Sequence, residues 1–219
     1  MTTDSRPAWE IPYEHATELV NHWWWRPGWS PGTHWYAWHF TLDWYPDLQD
    51  LAAAYAPALE PFVSLDIIPK QWLHITVQGV GNAGDIPHQE LQLIRDAVDD
   101  RLSGMPAPTL TFHRPVLHRE AIVIPPTDLQ PLRAVRAAIR AGIADVWGAE
   151  RVPETDAYKP HFSLAYVNRN EDAQSVLAAL ARVQPEPVTT TLHTVSLIDL
   201  NRDDGMYVWG AVHEVELAR

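Results

Sequence analysis

Cysteine is absent from the 219 residues, which removes disulfides, thiolate nucleophiles and cysteine-ligated zinc in one step. Any catalysis must use other side chains. No apolar run approaches the roughly 20 residues needed to cross a bilayer. The opening residues, MTTDSRPAWE, also lack the charged start and apolar stretch of a signal peptide. The expectation is a cytoplasmic protein with no membrane partner. Basic residues are few: 16 Lys and Arg stand against 28 Asp and Glu, a formal net charge of -12, so the overall field repels polyanions. The arginines are scattered and make no basic patch that would release counterions from many phosphates, which excludes long duplex nucleic acid. A small phosphorylated substrate or a strand end stays compatible.

The chain is long enough for one sizeable core or two small lobes sharing one, and 46% hydrophobic content is that of an ordinary soluble domain; a monomer is expected. Eleven tryptophans is a high number, and six of them fall in WWWRPGW and WYAWHF. Residues 1–33, rich in Pro, Gly and Trp without periodicity, read as an irregular segment packed on the domain by its indoles. Residues 34–219 read as a single domain.

Two short stretches carry the chemistry. In WLHITVQG, from Trp72 to Gly79, strand alternation puts His74 and Thr76 on one face and Leu73, Ile75 and Val77 on the other. In YKPHFSLAYV, His161 and Ser163 repeat the arrangement, with Phe162, Leu164 and Tyr166 opposite. Imidazole titrates near neutrality, so of two facing histidines one can take a proton while the other gives one. The hydroxyls of Thr76 and Ser163 can donate to the non-bridging oxygens of a phosphate held between the strands. Phosphodiester cleavage needs these parts and requires no metal or cofactor. His22, His34 and His39 have no spacing of a zinc site, and the metal reading is set aside.

The surrounding pattern gives two similar halves. A strand over Trp35 to Leu42, a helix over Asp47 to Leu59, a strand over Phe62 to Ile67 and the His74 strand lead to a helix. Asp85 caps that helix, Pro87 lies in its first turn, and Leu91, Ile94, Val98 and Leu102 form its apolar stripe. Two strands within LTFHRPVLHREAIVIPP follow, then a helix opened by a Thr127/Gln130 capping box, with Leu132, Val135, Ile139, Ile143 and Val146 as its stripe. After the His161 strand come a helix over Asp172 to Ala181 and two strands, VTTTLHTVSLIDL and MYVWGAVHEVEL, joined by a turn over Asn201 to Gly205. The halves suggest a duplication whose two polar faces meet across a cleft.

The paired motifs, His74-Ile75-Thr76-Val77 and His161-Phe162-Ser163-Leu164, resemble the H-x-T/S-x motifs of the two-histidine (2H) phosphoesterases, which include 2'-5' RNA ligase-like proteins and RNA 2',3'-cyclic phosphodiesterases. The resemblance runs from about residue 34 to the C-terminus. It implies an α+β, bilobal duplicated fold: two mainly antiparallel sheets, helices on their outer faces, and a central cleft. It also implies hydrolysis, or reversible ligation, of 2',3'-cyclic or 2'-5' linked phosphodiesters in a small nucleotide or RNA end. The other reading is a nucleotide-binding or regulatory module on the same fold without turnover. The sequence departs from the family where Gln78-Gly79 stand in place of a segment that often holds Phe, and where Tyr166 replaces the usual arginine of Leu-Ala-Arg. Trp72, or an indole from Trp23 to Trp38, as a base-stacking platform, Lys159 as a source of positive charge, His39 on the neighbouring strand and Tyr166 are therefore the candidate substrate-binding residues.

Overall fold

A computed structural model of the chain describes residues 14–153 and 158–219. Residues 1–13 of the irregular first segment lie outside them. In chain order the elements are β1 (Glu18–Leu19), β2 (Trp35–Thr41), α1 (Pro46–Leu59), β3 (Leu65–Ile67), β4 (His74–Asn82), α2 (His88–Leu102), β5 (Thr109–Phe112), β6 (Val116–Leu117) and β7 (Ala121–Ile124). They continue with α3 (Gln130–Trp147), β8 (Phe162–Val167), β9 (Glu171–Asp172), α4 (Gln174–Leu180), β10 (Val188–Thr191), β11 (Thr194–Asn201) and β12 (Val208–Glu216).

Two four-stranded antiparallel sheets form the two lobes. The first runs β12-β11-β2-β4 and the second β3-β8-β7-β6, with the small pairs β10-β5 and β1-β9 beside them. Each lobe draws strands from both halves of the sequence. β3 leaves the first half to pair with β8, while β11 and β12 leave the second half to complete the sheet of β2 and β4. The helices are exchanged in the same sense: α3 packs on β4 and α2, whereas α1 packs on β3, β8 and α4. The expected duplication is thus interleaved, and one cluster of buried apolar side chains runs through both lobes.

Local differences from the sequence reading have local causes. Pro87, not Asp85, is the N-cap of α2, because Asp85 is taken up in a 3-10 turn that Asn82 caps. The Thr127/Gln130 box does not form. The backbone N–H of Thr127 bonds to Thr111 O, α3 begins at Gln130, and Asp128 Oδ1 accepts from the N–H of Gln130. VTTTLHTVSLIDL is two strands in different sheets, broken at Leu192-His193, where Leu192 N–H bonds to Pro108 O and His193 N–H bonds to the Tyr45 hydroxyl. LTFHRPVLHREAIVIPP supplies three strands instead of two.

Candidate active site

β4 alternates as its sequence requires. Leu73 just before it, with Ile75 and Val77, is buried in the core, Thr76 is exposed, and His74 is half-buried between them. His161 immediately precedes β8, and Ser163 follows on that strand. His74, Thr76, His161 and Ser163 all line one cleft of about 560 Å³ between the lobes. The two histidines are close enough for the charge of His74 to depress the pKa of His161.

Both imidazoles are held alike. His74 Nδ1 lies 2.9 Å from Trp72 O, and His161 Nδ1 lies 2.8 Å from Lys159 O, in each case the carbonyl two residues earlier. A carbonyl only accepts, so each Nδ1 donates and the lone pair of each neutral ring is on Nε2. Burial lowers both pKa values to about 4, with the carbonyl bond opposing it. For His161 the neighbouring His118 and His74 lower it further.

His39 is fully buried on β2, in register with Thr76, and lines the cleft. Its ring stacks on that of His74 at 4.7 Å and 6°, and its Nε2 lies 3.2 Å from Thr76 Oγ1. His39 is held neutral chiefly by burial, then by His74. Its buried Nδ1 has no partner. Orphaned buried N–H groups are rarer than under-satisfied acceptors, which favours the tautomer with the proton on Nε2. In that tautomer Nε2–H donates to Thr76, and the threonine keeps its own hydroxyl proton for the cleft.

Tyr166 also lines the cleft, against the strict alternation that set it opposite Ser163. A bulge explains the difference: Ile122 pairs with Ala165 and Val123 with Ser163, so Leu164 is an extra residue that reverses the parity of β8. The Tyr166 hydroxyl is bonded by Ser163, and its ring stacks on His22 at 4.5 Å. Trp72 belongs to a 3-10 turn, Lys70–Trp72, and is therefore not continuous with the face of His74. It packs edge-on against Trp209 at 4.9 Å, which in turn stands edge-on to His74 at 4.9 Å, and it is not among the residues lining the cleft. Lys159 is exposed and outside that lining, although its charge helps lower the pKa of His118.

Of the other cleft residues, His22, Arg26, His118, Glu120 and Tyr207 escaped the sequence reading, whereas Trp29 and Trp35 are among the Trp23 to Trp38 indoles expected as an alternative stacking platform. His118 stands edge-on to His161 at 5.8 Å. His22, Arg26 and Trp29 enter from the irregular N-terminal segment, and Glu120 and Tyr207 complete that end. The segment is tied to both lobes. Trp23 Nε1 donates to Asp66 and Trp24 Nε1 to Glu120, while the buried Arg202 donates to the carbonyls of His22 and Trp24. The only sequence signal was the tryptophan run itself. Among the described residues no three of His, Asp or Glu converge as a metal-binding group.

The sequence profile of the 2'-5' RNA ligase superfamily matches residues 44–204, well over half of the chain. The chain belongs to the 2'-5' RNA ligase superfamily. Solved structures agree at the level of fold. TT0787 of Thermus thermophilus is similar with a TM-score of 0.63 at 18% identity, over 84% of this chain and 97% of its own. Escherichia coli LigT complexed with 3'-AMP gives 0.57 at 13%, over 85% and 99%, and the same protein complexed with phosphate gives 0.54 at 13%, over 85% and 99%. No curated protein sequence matches the chain. As a member of this superfamily the chain is a phosphoesterase- or ligase-like protein of mixed α+β fold. Among the described residues no helix is long and apolar enough to cross a membrane.

Proposed function

We propose that the protein is a metal-independent phosphodiesterase that opens 2',3'-cyclic or 2'-5' linked phosphodiesters in small nucleotides or RNA ends. The observation that carries this reading is the matched presentation of two imidazoles in one cleft. Both bond through Nδ1 to a carbonyl two residues back, and both keep Nε2 for proton transfer. One Nε2 accepts the proton of the attacking water or hydroxyl, and the other, protonated when the phosphate is bound, delivers a proton to the departing ribose oxygen. Thr76 and Ser163 hold non-bridging oxygens as charge builds on them. Trp29 and Trp35, stacked at 5.6 Å and both lining the cleft, give an apolar end against which a base can lie. The similarity to LigT, solved with 3'-AMP, supports a substrate of nucleotide size.

The test is incubation of the purified protein, with a chelator present throughout, against a panel of 2',3'-cyclic nucleotides and 2'-5' linked dinucleotides. Turnover of at least one is expected, and the chelator is expected to change nothing, since neither proton transfer uses a metal. Tight binding without turnover would instead establish the non-catalytic nucleotide-binding module.

A further inference from the structure

Tyr207 precedes β12, and its ring stands in the cleft 5.5 Å from that of His22, 5.4 Å from Tyr166 and 6.4 Å from His74. Two groups meet at its hydroxyl. Arg202 Nη1 lies 3.4 Å from the oxygen, and a guanidinium can only donate. His22 Nε2 lies 3.2 Å from the same oxygen. The other nitrogen of His22 settles what Nε2 does. Arg26 Nη2 lies 3.5 Å from His22 Nδ1, so Nδ1 accepts and holds the lone pair. Glu120 Oε2 competes for Nδ1 from 3.6 Å, beyond hydrogen-bond reach, and is itself engaged by Arg26. Burial, helped by Arg26 and Arg202, lowers the His22 pKa to about 3, so the ring is neutral and its single proton is on Nε2. The phenol oxygen therefore accepts twice and keeps its own proton to give. Burial raises the pKa of that phenol, against the pull of Arg202 and Arg26, so the proton is present at neutral pH.

We infer that Tyr207 donates its hydroxyl proton to a non-bridging oxygen of the substrate phosphate, and that His22 is the positioning residue that fixes the direction of that proton. The inference rests on the phosphodiester reading. It adds a third hydroxyl donor to Thr76 and Ser163, contributed by neither H-x-T/S motif and held by a contact spanning 185 residues of sequence. The arrangement repeats the other wall of the cleft, where a buried neutral histidine, His39, directs the hydroxyl of Thr76.

Tyr207→Phe removes the hydroxyl and keeps the ring. On a 2',3'-cyclic nucleotide its kcat should fall about 10²-fold, as when one oxyanion donor is lost. KM should change far less, and the variant should fold but unfold at a somewhat lower temperature, because the His22 Nε2–H and Arg202 lose their acceptor. His22→Leu should lower kcat by less, and in the Tyr207→Phe background it should lower it no further, because both changes act through one hydroxyl. A wild-type kcat in Tyr207→Phe, or additive losses in the double variant, would overturn the assignment. If Tyr207→Phe fails to fold, His22→Leu decides alone: a reduced kcat supports the assignment and a wild-type kcat overturns it. If the wild type turns over none of the nucleotides, the phosphodiesterase reading has failed by itself, and Tyr207 is then judged by calorimetry with inorganic phosphate. Several-fold weaker binding in Tyr207→Phe supports it, and equal binding overturns it.

Discussion

At the scale of single residues, a bond to a carbonyl and removal from water act on the same two rings. The carbonyl bonds fix the tautomers of His74 and His161, and burial lowers both pKa values to about 4. Both rings are therefore neutral at pH 7 in the free protein, so each is ready as a base and neither as an acid. The singly protonated pair needed for catalysis becomes more populated as pH falls toward about 4. kcat/KM, which reports the free protein, should rise on acidification from neutrality. kcat should keep its optimum at higher pH, because bound phosphate favours the imidazolium. Replacing either His74 or His161 by alanine should cost about 10² to 10⁴ in kcat. Thr76→Ala and Ser163→Ala should cost less, each removing one of several donors. Steady-state rates on folded variants check both statements, and wild-type turnover in either histidine variant would end the two-histidine mechanism. The four motif residues were legible because one local pattern occurs twice. His22 and Tyr207 were not, because only folding brings residues so far apart in sequence to one hydrogen bond.

At the scale of elements, the apolar stripes of α2 and α3 gave both helices from sequence, since a 3.6-residue period survives any detail of capping. Their ends were less legible. Caps depend on which competing acceptor reaches an N–H first, as when Thr111 O takes the N–H of Thr127. Least visible was the contact between the two helices. A Cβ added at Gly142 of α3 would lie 2.8 Å from Val98 Cα and 2.9 Å from Val98 N, both backbone atoms of α2, so no side-chain rotation relieves it. Gly142→Ala therefore sets a helix-propensity gain of about 1 kcal/mol against an overpacking cost of about 1–3 kcal/mol. The larger cost should win. Denaturant titration should find the variant less stable than wild type, and a more stable variant would mean that the helices separate freely. Since α3 packs on β4, the strand of His74, activity should fall with stability.

At the scale of the whole molecule, the lobes exchange strands and helices, so the cleft is not a hinge between independent halves but a gap in one continuous core. Sequence alternation gave the two polar faces but not this exchange, which depends on β3 and β11 each leaving its own half for a partner in the other. Five histidines sit at that gap, and folding depresses the pKa of all five: His22 to about 3, His74 and His161 to about 4, and His39 and His118 also downward. In each case burial is the largest cause. The sign follows from proton counting. Below about pH 6.5 the unfolded chain binds protons at these positions that the native protein refuses, so stability rises with pH there. The full contribution is present above the unfolded value of about 6.5 and is lost as pH falls toward the native values. Each such ring adds a slope of up to about 1.4 kcal/mol per pH unit between its two pKa values. Tm should therefore drop between about pH 7.5 and about pH 5, over the interval in which kcat/KM is expected to rise. His39→Gln isolates one ring. It loses the stacked, buried imidazole and should be less stable than wild type near pH 7.5, but the difference should narrow near pH 5, where the wild-type protein must keep that ring neutral against the solvent and the variant has no ring to titrate. A Tm that is flat across this range, or a gap that widens on acidification, would show that the buried histidines are not what makes the fold sensitive to acid.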